Sequence, residues 1–318
     1  MKKWKIAIIG AGYMAMEHAK AFTSLESVEI VGVYSRTKSR AEELASKYNA
    51  EVFESIDSMY QKTKADVVVV TVTELSMPEI CFQCFQYPWV CFLEKPVGIN
   101  LPIAKSIFAK AKETNTRAYV ALNRRSYSST RQAFKEIADN ESPRLISILD
   151  QQDMAAAREM GQPEIVVKNY MYANSIHLID YFTFFGRGDV ISVDSVSPWN
   201  PEHPGNVVSV IRFSSGDVGV YQAVWDGPGP WVVTVSNRKV RLEMRPLEKL
   251  GVQRLGERRL TEVEPDIIDS EFKPGLRYQA EQILNLLEGK KSALATLESA
   301  TKSMELCAAI YGLLDSTS

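Results

Sequence analysis

At 318 residues, with 45% hydrophobic and 24% charged residues, the chain has an ordinary globular composition and is long enough for two cores. Its formal net charge of -2 gives no reason to expect a nucleic-acid or anionic-membrane partner, and no segment approaches the roughly 18 uninterrupted apolar residues of a membrane span. Lysines ahead of an apolar stretch give the N-terminus a superficial likeness to a secretion signal. That stretch reads better as a first strand and glycine turn, with Glu17-His18-Ala19-Lys20 continuing as a helix. The expectation is a cytoplasmic protein.

In chain order, strand patterns at residues 5–9, 28–34, 51–53, 67–72, 90–93 and 117–120 alternate with helical patterns at 15–24, 38–48, 56–62, 77–85 and 102–114. Val67-Val68-Val69-Val70 is apolar without a break, as in a strand covered on both faces. Residues 1–122 are therefore predicted to form an α/β Rossmann domain, a doubly wound parallel sheet. From residue 144 the pattern changes. Strands at 145–149, 190–196, 207–213, 218–225, 232–236 and 239–244 follow one another with one substantial helix, 175–185, inserted. The prediction for 123–318 is an α+β domain built on an open, largely antiparallel sheet. Strands 207–213 and 218–225 are apolar on both faces, so a second copy of the chain is expected to cover the outer one, as a homodimer or homotetramer. The final helices are predicted at 276–287 and 297–314.

The first strand runs into Gly10-Ala11-Gly12-Tyr13-Met14-Ala15. Gly10 permits a tight bend, Gly12 lets the backbone approach a pyrophosphate, and Ala15 allows close helix packing; the helix start at Tyr13 and Met14 offers free N–H groups. The second strand ends in Tyr34-Ser35-Arg36-Thr37-Lys38-Ser39-Arg40. An NAD-selective site places Asp or Glu there for the ribose hydroxyls. Here Ser35, Thr37 and Arg36 suit a 2′-phosphate, and Arg36 can equally stack on adenine, so NADP(H) is favoured over NAD(H). Cys81-Phe82-Gln83-Cys84 has redox or zinc half-site spacing but no second pair nearby, and reads as small apolar residues on a buried helix; no metal is expected. A second motif, Glu94-Lys95-Pro96, follows Val90-Cys91-Phe92-Leu93 and should reach the same sheet edge as the glycine turn.

Together, the glycine turn, His18, Glu94-Lys95-Pro96 and the His-bearing helix start near residue 177 resemble the glucose-fructose oxidoreductase / inositol dehydrogenase / MocA (Gfo/Idh/MocA) family over nearly the whole chain. The resemblance implies that Lys95 is the catalytic or substrate-orienting lysine, beside the nicotinamide, and that Lys95-Pro96 is cis. It implies cofactor contacts at Glu94 and Thr73, although Val72-Thr73-Glu74-Leu75 puts Glu74 where many members carry Asn. It also packs the last helix back on the first domain, and places substrate contacts at Asn123 and Arg124, where either arginine of Arg124-Arg125 instead joins the domains in an equally open reading. In Tyr170-Met171-Tyr172-Ala173-Asn174-Ser175-Ile176-His177 the family's Asp, four residues before His177, is Ala173. Proton handling then falls to Lys95, His177 or Tyr172, with Asn174 a neighbouring substrate contact, about 100° round if a helix has begun; a structural role for His177 competes. Trp225 and Trp231 are read as interface packing, with sugar stacking the alternative. The function implied is hydride transfer to or from a secondary hydroxyl or keto group of a sugar or sugar nucleotide, in branches associated with polysaccharide and sugar-nucleotide pathways. The alternative is a dinucleotide-binding sensor or assembly protein without catalysis, motivated by Ala173 and Glu74.

Overall fold

A computed structural model describes residues 3–138 and 141–314. The chain divides into two compact units, Met1–Ser126 with Ile267–Thr301, and Tyr127–Asp266 with Lys302–Ser318.

The first unit runs β1 (Trp4–Ile9), α1 (Tyr13–Thr23), β2 (Val28–Tyr34), α2 (Lys38–Tyr48), β3 (Glu51–Phe53), α3 (Ile56–Thr63), β4 (Val67–Val70), α4 (Met77–Cys84), β5 (Val90–Leu93), α5 (Leu101–Glu113) and β6 (Ala118–Val120), then a 3-10 turn at Asn123–Ser126. The six strands are parallel in the order β3-β2-β1-β4-β5-β6. Strand order reverses between β1 and β4, which opens a crevice at their carboxyl ends. β4 stops at Val70, two residues short of the sequence expectation; Thr71 closes the ladder with β1, its N–H and hydroxyl both donating to Ile9 O. α1 starts two residues earlier than its apolar periodicity suggests. It buries Ala15, His18, Ala19 and Phe22, a stripe at i, i+3, i+4 and i+7.

The second unit holds α6 (Ser128–Ala138), β7 (Leu145–Gln152), α7 (Met154–Glu159), α8 (Glu164–Lys168), a π-helix at Met171–Ser175, α9 (Ile176–Phe185), β8 (Val190–Ser197), β9 (Asn206–Phe213), β10 (Val218–Trp225), β11 (Val232–Ser236), β12 (Val240–Met244), β13 (Leu250–Arg254) and β14 (Thr261–Val263). Its open sheet has the order β14-β13-β12-β11-β7-β10-β9-β8 and is antiparallel except where β7 lies parallel to β10. Alternation is clean on the central strands: Tyr221, Ala223 and Trp225 are buried on one face, whereas Val218, Val220 and Val224 are half-buried on the other. Trp225 corrects the sequence reading. It is 3% exposed and donates Nε1–H to Tyr311 Oη at 3.2 Å, with Trp199 against it, so it is core of this unit and serves neither interface nor ligand.

The chain then returns to the first unit with α10 (Ile268–Glu271), α11 (Leu276–Leu287) and β15 (Ala295–Thr296), which adds an antiparallel edge to β6. Leu276, Ala280 and Ile283 of α11 join the core under α1 and β1. α12 (Leu297–Ile310) supplies its first turn to the first unit, where Leu297 and Ala300 are core, and the rest to the second. It ends four residues before the predicted limit. All four cysteines are buried free thiols; burial pushes the Cys81 and Cys84 thiols up, leaving them poor nucleophiles. Among the described residues no helix is long and apolar enough to cross a membrane, and no group of three or more His, Cys, Asp or Glu is arranged to hold a metal ion.

Candidate functional site

The crevice at the β1/β4 switch point is a cavity of about 230 Å³ lined by Gly10, Ala11 and Gly12 after β1, Tyr34 to Thr37 after β2, Arg40 of α2, and Thr71, Val72, Thr73 and Ser76 after β4. The glycines divide the work. Gly10 sits at φ +98°, and a Cβ there would lie 2.5 Å from Thr71 O, so the bend beside the Thr71 carbonyl fits only a glycine. Gly12 is extended at φ -88°, and a Cβ there would meet nothing within 4 Å. Its open side faces outward and is available to a ligand. Gly12 also gives α1 no side-chain cap, and the first turn carries no acid. The helix therefore presents unsatisfied N–H groups and a positive dipole end, as a pyrophosphate requires. The residues present thus fit a dinucleotide. Met14 is half-buried behind the exposed Tyr13, while Ala15 is fully buried and lets the helix close on the sheet.

At the β2 end, Ser35 Oγ accepts the Thr37 N–H at 3.3 Å, folding the turn that starts α2. Arg36 and Thr37 are exposed beside Arg40, and α2 also has neither a side-chain cap nor an acid in its first turn. Glu79, from α4, is the acid among the described residues lining this cavity. Thr73 Oγ1 donates to Ser76 Oγ at 3.3 Å and remains exposed at the rim.

β5 delivers Glu94 and Lys95 to the same edge, and the Lys95-Pro96 bond is cis. Glu94 is 8% exposed and both its oxygens are engaged: Oε1 lies 2.7 Å from His18 Nε2, and Oε2 accepts the Lys95 N–H at 3.1 Å. His18 is 1% exposed and packs edge-on against Phe92. Glu94 thereby fixes the backbone of Lys95 to α1. Desolvation lowers the Lys95 ammonium from its ordinary 10.5 to about 8; Glu94 and Glu74 oppose the shift, and Arg124 and Lys273 add to it. The sequence offered one signal for the His18–Glu94 pair: a histidine inside an otherwise apolar helix stripe needs a buried partner.

Asn123 is buried in the 3-10 turn and donates Nδ2–H to Pro274 O at 3.3 Å, and Arg124 beside it is half-buried. In the second unit, Ile176 N–H donates to Met171 O, an i→i-5 bond, so residues 171–175 form a π-helix where the sequence reading carried α-helical angles. That geometry corrects the 100° separation. Residues 171 to 182 are buried except Asn174, which is half-buried. Asn174 Nδ2 donates to Gln152 Oε1 at 2.8 Å, and Gln152 Nε2 donates to Asp150 Oδ1 at 2.7 Å. Tyr221 donates to Asp150 Oδ2 at 2.6 Å, and burial pushes the Asp150 carboxyl up. A carboxylate accepts only, so it sets the direction of both amides and leaves Asn174 Oδ1 as an acceptor at the surface. His177 is 7% exposed with Trp231 tilted 6.4 Å away, while burial drives the Tyr172 phenol up and holds it protonated. Trp231 donates Nε1–H to Gln151 O at 2.9 Å.

Residues 4–122 match the family described as oxidoreductase family, NAD-binding Rossmann fold. The chain is 28% identical over 144 residues to glucose-6-phosphate 3-dehydrogenase of Bacillus subtilis (strain 168), a stretch that is 45% of this chain and 41% of that protein. It is 23% identical over 205 residues to 4-carboxy-2-hydroxymuconate-6-semialdehyde dehydrogenase of a Sphingobium species, covering 63% of this chain and 64% of that one. The matches thus span between two fifths and two thirds of these relatives' lengths. In three dimensions the fold is similar to that of UDP-N-acetylglucosamine 3-dehydrogenase from Acidithiobacillus ferrooxidans, with a TM-score of 0.79 at 14% identity and 98% of each chain covered.

Proposed function

We propose, from the match of residues 4–122 to the NAD-binding Rossmann model of the Gfo/Idh/MocA oxidoreductases, that the chain is an NADP(H)-dependent oxidoreductase of that family. The substrate we propose is a sugar or sugar nucleotide, with hydride moved to or from a secondary hydroxyl or keto carbon, in the polysaccharide or sugar-nucleotide setting that the resemblance implies. One observation carries this reading. A dinucleotide-fitting crevice and a lysine shifted to about 8 are brought to one edge of one sheet. The names of the relatives, two sugar dehydrogenases among them, support the substrate class.

A bound nicotinamide supplies the hydride acceptor or donor. Lys95 exchanges the accompanying proton with the substrate oxygen, since a group titrating near 8 is populated in both states close to neutrality. Glu94 and His18 hold the Lys95 backbone. Asn123, Arg124, Asn174 and His177 are the proposed substrate contacts. Tyr172 stays a neutral hydroxyl in that pH range, which favours hydrogen-bond donation over proton abstraction.

Cofactor choice is read by titrating the purified protein with NADPH and NADH and following nicotinamide fluorescence. NADPH should bind about tenfold tighter or better, the contribution of a charge-assisted contact to the 2′-phosphate, and Arg36→Ala should erase the difference. A preference for NADH would overturn the assignment of Ser35, Arg36 and Thr37 and shift the ribose hydroxyls to Glu79. Binding of neither would overturn the dinucleotide reading itself.

We further propose that the outer face of the second sheet joins copies of the chain into a homodimer or homotetramer. Leu149 of β7, Val208 and Val210 of β9, and Val218, Val220 and Val224 of β10 are half-buried on this face, with Gln222 exposed among them and paired with both Val208 and Leu149. Sedimentation should show an oligomer that Val210→Glu with Val220→Glu dissociates; a monomeric parent protein would sink the proposal.

A further inference from the structure

The segment between α10 and α11 contributes a cation that no sequence motif marks. Lys273 is half-buried, and its Nζ stands 5.3 Å from the centre of the Tyr13 ring, the first residue of α1 after the glycine turn. A lysine so placed ordinarily finds a carboxylate; among the described residues none pairs with this one. The segment is fastened on every side. Gly275 N–H donates to Asp269 Oδ1 at 2.9 Å, Pro274 O accepts from Asn123, Glu271 O accepts from Lys20 Nζ at 2.7 Å, and Lys20 lies over the Phe272 ring at 5.0 Å. The position of Lys273 is therefore set by the fold around it. The ring that holds this ammonium belongs to the first residue of an eleven-residue helix whose N-terminus has no side-chain cap and whose first turn is free of acid. The Lys273 charge also adds to the lowering of the Lys95 ammonium.

We infer that Lys273, held against the Tyr13 ring beside Gly12, is a binding residue for the cofactor's pyrophosphate together with the α1 N–H groups. The inference rests on the dinucleotide reading proposed above and deepens it. A pyrophosphate carries two negative charges, and one helix end supplies only about half a positive charge, so a second cation completes the site. Lys273 arrives from more than 250 residues downstream of the glycine turn, and the C-terminal part of the chain is thereby made necessary for cofactor retention.

The test is equilibrium titration, without substrate, of the parent protein and of Lys273→Ala, Lys273→Met and Lys273→Arg, using NADPH and ADP-ribose as probes. Thermal melting of each variant without ligand checks that it folds. Lys273→Ala and Lys273→Met should weaken both probes by the same factor, roughly ten- to a hundredfold as expected for a hydrogen bond to a charged group. Both should show a flatter dependence on salt, and Lys273→Arg should stay within about threefold of the parent. Unchanged binding of both probes would overturn the inference and leave the dinucleotide reading intact. Weakening of NADPH alone would also overturn it, by moving the lysine to the nicotinamide end. A parent protein that binds neither probe would refute both.

Discussion

Lys95→Ala should lower turnover by about 10²–10⁴-fold, the usual share of a positioned acid or base, while NADPH affinity stays within about threefold. The separation follows from where the residue stands. The crevice that would take the dinucleotide is lined by turns after β1, β2 and β4 and by α2 and α4, and Lys95 is not part of that lining. Its side chain sits instead at the end of β5, desolvated, with a pKa near 8. Steady-state rates with a verified sugar substrate, beside an NADPH titration, check both halves of the expectation. Equal turnover of parent and variant would sink the role of Lys95. Tight NADPH binding with no hydride transfer in the parent, to any sugar offered, would favour the sensor or assembly reading, in which replacements at Lys95 and His177 are both tolerated.

The same pKa gives a sign to the pH profile. Oxidation of a hydroxyl needs the neutral amine as base, so its rate should rise with pH and level off above about 8. Reduction of a ketone needs the ammonium as acid, so that rate should be full below about 8 and fall above it. Glu94→Gln offers an independent check, because Glu94 opposes the downward shift. Removing its charge should move the midpoint to lower pH in both directions of reaction. A midpoint that stays in place in this variant would detach the titration from Lys95.

The first half of the chain was legible because its signals are local and repeated. Strand, turn and helix alternate at short intervals, and the Val67-Val68-Val69-Val70 run cannot serve an exposed strand. The crevice was legible for a similar reason: its glycines and the acid-free Ser35-Arg36-Thr37 turn lie next to the strands that place them. What was missed depends on partners far away in sequence. Glu94 reads in the sequence as a cofactor contact beside Lys95, and its role in holding the Lys95 backbone to His18, 76 positions earlier, shows only in the structure. Trp225 looked like a surface aromatic until Tyr311 supplied an acceptor for its ring N–H. In the second unit, α6 went unread because polar Ser128, Ser129 and Thr130 occupy buried positions at its start. β13 carries a glycine at its second position, which weakens any strand pattern. The π-helix at Met171–Ser175 has no periodicity of its own in so short a stretch, so the sequence gives Asn174 an angle only on the condition that an α-helix has begun there.

The paired substitutions Gly10→Ala and Gly12→Ala should separate folding from binding, although both add one methyl group to the same turn. At Gly10 the added carbon would lie 2.5 Å from the Thr71 carbonyl oxygen, and backbone at φ +98° disfavours any L side chain. The conformational part costs about 1–2 kcal/mol and the overpacking about 1–3 kcal/mol, so a marked fall in melting temperature is expected. Loss of cofactor binding then follows from a displaced turn. At Gly12 the backbone already suits alanine, and the new methyl meets nothing within 4 Å in the protein. Stability should therefore stay within about 0.5 kcal/mol of the parent. The methyl stands where the backbone must approach a pyrophosphate, so NADPH affinity should fall by about a hundredfold, the equivalent of about 3 kcal/mol of steric conflict. Melting curves with and without NADPH read both effects in one experiment: Gly12→Ala should melt like the parent without cofactor and lose the upward shift that cofactor gives the parent. A Gly12→Ala protein that binds NADPH as the parent does would show that no phosphate sits over Gly12, and would remove the assignment of the α1 terminus with it.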